Sequence, residues 1–280
     1  MKDLFCNKCN LSEQTPQLIA EEVLGVENLT LLNARYEQMQ NGYDYSYEQW
    51  QELFTEELKP YRGYSDTTSV TMPIKHPKFK SDFEQLDKGA IGVDLPTWFN
   101  IQSSNPRIML IAQDPLRSSK WYGECREAVL SSPFGLHDAT HRTKAKGGKM
   151  FYELIHRLVT VGNGVYLTDA RKYFIYDHKT SDKYADSRKK AYVEILKKEI
   201  EIVKPTLCVC FGNRAGSIMY DVVTESPELL ISYITLPHLS GTARGAIVKR
   251  YPILLERKAT AENIAEQYAN EIMNCLTTNF

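Results

Sequence analysis

Arg107-Ile108-Met109-Leu110-Ile111-Ala112-Gln113-Asp114-Pro115 is a short apolar run that ends in a carboxylate and a proline. Runs this short and this uniformly apolar, closed by turn residues, belong to strands buried on both faces, as in a parallel sheet. Pro115 cannot continue a hydrogen-bonded ladder, so the strand stops and Asp114 is left at its carboxyl end. A second run, Ile231-Ser232-Tyr233-Ile234-Thr235-Leu236-Pro237-His238, ends in the same way on an imidazole. In an open α/β sheet, ligands lie beyond the carboxyl ends of the strands. Asp114 and His238, more than a hundred residues apart, are therefore expected to meet in one crevice.

Two further runs between them, Val165–Ala170 and Thr206–Gly212, have the same strand character. They alternate with amphipathic helices. Met150–Val161 sets Phe151, Leu154, Ile155, Leu158 and Val159 at helical spacing, and Ser187–Val203 does the same with Tyr192, Ile195, Leu196, Ile200 and Val203. Asn213–Val223 and Thr260–Leu276 supply two more helices, with Asn213 and Thr260 as N-caps. Strand and helix in alternation predict a three-layer α/β/α sandwich with a mainly parallel four-stranded central sheet. Residues 1–104 read as an N-terminal extension of helix and loop, with helical patterning in Gln17–Leu24 and around Tyr47–Leu58 and loop-like sequence through Pro60–Pro77. Residues 105–280 form the α/β domain, and no repeat or low-complexity tract is present.

The net charge of −1 is unevenly distributed: residues 1–104 carry 9 Lys/Arg against 16 Asp/Glu, and residues 105–280 carry 25 against 19. The basic excess of the second part is compatible with a polyanionic partner without requiring one. No apolar stretch is long enough to span a bilayer, and no long apolar run follows the charged start, so a cytoplasmic protein without membrane contact is expected, and separately a monomer. Six cysteines in 280 residues do not make a disulfide framework, and reduced thiols are expected.

Taken singly, Asp114 reads equally as a turn cap, and His238 as a satisfied structural histidine. Taken together, Ala112-Gln113-Asp114-Pro115-Leu116 and His238-Leu239-Ser240-Gly241 resemble the first and last motifs of the uracil-DNA glycosylase superfamily. Gly164-Val165-Tyr166-Leu167-Thr168-Asp169 is similar to that family's apolar strand ending in Asn, and Lys204–Asn213 to its penultimate strand. The resemblance covers roughly residues 105–275. It implies an enzyme that turns a base out of DNA and hydrolyses its N-glycosidic bond. Asp114 would stabilise the sugar cation and orient water, and His238 would hydrogen-bond the departing base. Phe134 would stack on the base, Gln113 and Leu116 would complete its pocket, and Ser240, Thr242 and Arg244 would clamp phosphates of the DNA or enter the space the flipped base leaves. Core packing explains Phe134 as well, and solvated loop positions explain the other three.

The departures bear on substrate. Asp169 stands where the family commonly has the Asn that reads uracil; ionised, it only accepts hydrogen bonds, which suits an amino-bearing or modified base, whereas protonated it regains a donor. Leu116 replaces a Tyr that crowds the thymine methyl in one branch of the family. Cys6-Asn7-Lys8-Cys9 is half of a metal site, and one branch carries such a pair for an iron–sulfur cluster. The two remaining ligands would fall at Tyr173 and near Ala191-Tyr192, so no metal and no cofactor are expected. Arg142–Lys149 reads as a solvated basic loop or a phosphate contact, and Tyr173, Phe174 and Tyr176 beside Arg171 and Lys172 as a nucleic-acid platform or as core. The alternative function is a non-catalytic member of the same fold that binds nucleic acid, a nucleotide or a protein.

Overall fold

The computed structural model describes residues 9–42, 70–72, 90–101, 105–116, 128–143, 146–176 and 188–278. In chain order these comprise α1 (Leu11–Ile19), α2 (Leu29–Gly42), β1 (Val70–Met72), β2 (Ala90–Asp94), β3 (Thr97–Phe99), β4 (Arg107–Ala112) and β5 (Ala128–Ser131). They continue with α3 (Ala139–Thr143), α4 (Lys146–Thr160), β6 (Gly164–Asp169), β7 (Phe174–Tyr176), α5 (Lys189–Val203) and β8 (Leu207–Phe211). The last are α6 (Asn213–Glu225), β9 (Tyr233–Leu236), α7 (Arg244–Arg250), α8 (Ile253–Arg257) and α9 (Ala261–Thr278).

The main sheet runs β3-β6-β4-β8-β9. Four of its strands are parallel, as expected, and β3 adds an antiparallel edge through Thr97↔Leu167 and Phe99↔Val165. The uniform apolarity of the central strands has a direct cause, because alternate residues enter two different cores. Ile108, Leu110, Val165, Leu167, Val209 and Phe211 face one core with Phe151, Leu154 and Leu158 of α4 and Ile272 of α9. Met109, Ile111, Tyr166, Cys208 and Cys210 face the other, packed under α1, α2, α5 and α6 by Leu11, Leu32, Leu196 and Met219. Burying a side chain of this size contributes roughly 1.5–3 kcal/mol. Helices thus cover both faces, which gives the α/β/α layering.

A second sheet, β1-β5-β2-β7, has no counterpart in the sequence expectations. Its strands span three to five residues, too few to show a two-residue period. The segment before residue 105, expected as helix and loop, therefore also contributes strands to both sheets. Its first helix begins at Leu11, earlier than the patterning of Gln17–Leu24 suggested, and Ala20–Leu24 continue as a π turn. The patterned stretch Tyr47–Leu58 lies outside the described residues. Among the described residues no helix is long and apolar enough to cross a membrane.

Two of the expected caps resolve differently. Thr260 caps α9, its Oγ1 accepting from the Asn263 amide at 3.2 Å. Asn213 is already the first helical residue of α6, and Gly212 precedes it without a side-chain cap. Gly212 sits at φ +88°, and a Cβ there would meet the Cβ of His238 at 3.5 Å. That left-handed turn suits glycine and brings the two loops together.

Candidate functional site

The register of the main sheet decides which side chains share its carboxyl edge. Ala112 of β4 pairs with Asp169 of β6, and Phe211 of β8 pairs with Leu236 of β9. Gln113 and Asp114 therefore emerge beside Asp169, and His238 emerges two residues beyond the end of β9. The second sheet turns the same edge inward, since β2 and β5 are parallel and Asp94 pairs with Ser131. Both edges open onto one cavity of about 630 Å³, a volume typical of a small-molecule pocket. Gln113, Asp114, Leu116, Phe134, Asp169, His238, Ser240 and Thr242 all line it. Arg244 does not; it is exposed at the start of α7.

The Asp114 side chain is nearly closed off from solvent and has two partners among the described residues. Gln113 Nε2 donates to its Oδ2 at 2.6 Å, and the Arg171 guanidinium lies 3.5 Å from the same oxygen. Opposite it, burial pulls His238 below the ordinary imidazole value, an effect that the Asp114 charge opposes. The net direction keeps His238 neutral near pH 7, as a hydrogen-bond donor to a developing oxyanion requires. Its loop is anchored by Leu239, which is fully buried, and by the Tyr268 hydroxyl, which donates to the Pro237 carbonyl at 2.9 Å.

Phe134 forms one wall. Its ring stacks on Phe151 with centroids 3.9 Å apart and stands 5.9 Å from the His238 ring. The backbone there is left-handed, φ +58°, which costs a non-glycine residue on the order of 1–3 kcal/mol. Phe134 is only half-buried and lines the cavity.

Asp169 lies at the floor, 4% exposed. Burial raises its carboxyl well above the usual range, and the charges of Asp94 and Asp114, with a hydrogen bond to Asp94, push in the same direction against Lys172. One Asp169 oxygen, Oδ2, has no hydrogen-bond partner among the described residues. Behind it, Glu199 accepts from the Tyr166 hydroxyl at 2.8 Å and from Thr168 Oγ1 at 2.9 Å, and forms a buried ion pair with Lys172.

These contacts decide between the readings left open for two segments. Arg171, Lys172, Tyr173 and Phe174 are all buried, so they form structure behind the cavity and no exposed platform. Arg142 is buried as well, donating to the Leu136 carbonyl at 2.8 Å, and the basic segment is not a solvated loop at that end. Of the half-site cysteines, Cys9 is half-buried just before α1, and Cys6 lies outside the described residues.

Several lining residues went unnoticed in the sequence: Asp94, Ser131, Ser132 and His141. Asp94 had a usable signal, because Ala90-Ile91-Gly92-Val93-Asp94-Leu95-Pro96 is another apolar run closing on Asp and Pro. Ser132 is fixed in place, its Oγ 2.8 Å from His137 Nδ1 and accepting from the His137 amide at 3.2 Å. In comparison with known proteins, the family model described as Uracil DNA glycosylase superfamily matches residues 99–258, which include every lining side chain except Asp94. No curated protein matches the chain.

Proposed function

Because the chain belongs to the uracil-DNA glycosylase superfamily, we propose that it hydrolyses the N-glycosidic bond of a flipped-out uracil or other damaged or modified base in DNA. The observation that carries this reading is the gathering of Asp114, His238 and Phe134 around one cavity at the carboxyl edge of the sheet. Cleavage builds positive charge on the sugar and negative charge on the base, two tasks that need different side chains. The Asp114 carboxylate meets the first and orients the attacking water, while Gln113 and Arg171 hold it in place. Neutral His238 donates to the base oxygen that gains charge. Phe134 stacks on the base, Asp169 and Leu116 border it, and Ser240, Thr242 and Arg244 contact the phosphates around the extruded nucleotide. No cofactor enters the reaction.

Asp114→Asn keeps the shape and removes the charge. Turnover on a lesion-bearing oligonucleotide is expected to fall by roughly two to four orders of magnitude with DNA binding retained. Unchanged turnover would refute the assignment. The second reading, a non-catalytic binding member of the fold, is favoured by one feature, Asp169 at the base-reading position. A protein that binds abasic DNA in a salt-dependent way but releases no base from any lesion would establish it.

A further inference from the structure

His141 and Asp138 have no task in the proposed reaction, yet the His141 ring lines the same cavity. Its Nδ1 lies 3.2 Å from Asp138 Oδ2, and both residues are buried. A carboxylate only accepts hydrogen bonds, so Nδ1 carries a hydrogen, and in the neutral ring Nε2 then holds a lone pair. Among the described residues no hydrogen bond engages Nε2. The ring is also fixed in position. Gly135, at φ +62°, passes so close that a Cβ would stand 3.1 Å from the imidazole, and a Cβ on Gly148 would stand 2.5 Å from the His141 carbonyl oxygen.

A second acceptor belongs to a residue that borders the same cavity. Asp169 spends one oxygen on its hydrogen bond with Asp94, and the other, Oδ2, is buried without a partner among the described residues. The cavity is thus bordered by two fixed acceptors, Asp169 Oδ2 and, in the neutral ring, His141 Nε2, neither of them paired among the described residues. Uracil has a single N–H on its pairing edge, flanked by two carbonyl oxygens, and leaves one acceptor empty. An exocyclic amine, alone or beside a ring N–H, supplies both hydrogens.

We propose that His141, held by Asp138, is a specificity-determining contact that accepts a hydrogen bond from an exocyclic amino group of the bound base, so that the pocket selects amino-bearing bases. This rests on the base-excision reading and deepens it. A base lacking the amine leaves a buried acceptor unpaired, which is expected to weaken its binding by about tenfold or more.

The test uses the full chain with ¹⁵N-labelled histidine and three bases methylated at the glycosidic nitrogen, 1-methylcytosine, 9-methyladenine and 1-methyluracil, as probes. The His141 Nε2 resonance, assigned by its loss in His141→Phe, is expected to shift with 1-methylcytosine or 9-methyladenine and to respond at least tenfold more weakly to 1-methyluracil. His141→Gln, which keeps an acceptor, is expected to retain that preference, and His141→Phe to lose it with binding to abasic DNA intact. An Nε2 resonance that no base moves, while His238 responds, overturns the inference and leaves the glycosylase reading standing. Equal responses to 1-methyluracil and the amino-bearing bases overturn it as well. Silence of both histidines, with no base released from any oligonucleotide, overturns both.

Discussion

Lys172→Met tests the structural support behind the cavity floor. The Lys172 ammonium is almost fully enclosed, as is its partner Glu199, each side chain 1% exposed. It also donates to Thr168 Oγ1 at 2.6 Å. Methionine fills much the same volume without the charge. Glu199 would then sit in the core with two neutral donors, the Tyr166 and Thr168 hydroxyls, and no counter-charge. Removing one member of a buried pair costs about 3–5 kcal/mol, a large share of the 5–15 kcal/mol typical of a folded protein. Urea denaturation at 25 °C and neutral pH should show this loss as a lower midpoint at unchanged slope. The double variant Lys172→Met/Glu199→Leu removes both charges and should recover most of it, because a well-packed apolar replacement of a buried pair is often neutral. A single-variant loss below about 1 kcal/mol, or a double variant no better than the single, would refute the view that this network is an energetically coupled support.

His238 has its imidazole value depressed by burial, so its contribution to stability is present above the unfolded value near 6.5 and is lost as pH falls below it. A histidine NMR titration should find it neutral at pH 6.5, and glycosylase activity should persist there; a half-protonated His238 above pH 7 would contradict this. Asp169 moves the other way: its folded carboxyl is raised above 3.8, so stability is lost as pH rises through the folded value. Asp169→Asn should accordingly stabilise the protein more at pH 8 than at pH 5 in parallel denaturation curves, and a pH-independent difference would count against the buried carboxyl pair. Arg244→Ala should weaken DNA binding for all sequences alike and reduce the slope of log K against log salt by about one; an unchanged slope would remove Arg244 from the phosphate contacts.

The legible part of the fold is the part whose burial is continuous. β4, β6 and β8 are covered on both faces, so Ile108-Met109-Leu110-Ile111 and Leu207-Cys208-Val209-Cys210 announce themselves without any partner in view. α4 and α5 carry a single buried stripe and were equally visible. β2, β3, β5 and β7 were not, since strands of three to five residues are specified by the neighbours they pair with, which sequence does not display. The same limit hid half of the cavity. Asp114 and His238 each follow a continuous apolar run and were found; His141 lies on a five-residue helix, and its relation to Asp138 and Gly135 exists only once the chain has turned back on itself. The aromatic cluster at Tyr173 and Phe174 stayed open between two readings for a related reason, because an aromatic beside a cation looks the same in sequence whether it faces solvent or the core.

The two sheets keep separate hydrogen-bonding ladders and meet at the cavity, where Asp94 belongs to one and Asp169 to the other. An occupant of that space acts as a clasp across a seam. Binding energy gained there is felt by β2 and β5, short strands with little ladder of their own, so their amides should exchange with solvent more slowly when the cavity is filled. Recognition and cohesion of the small sheet are, in this molecule, the same event measured at two places.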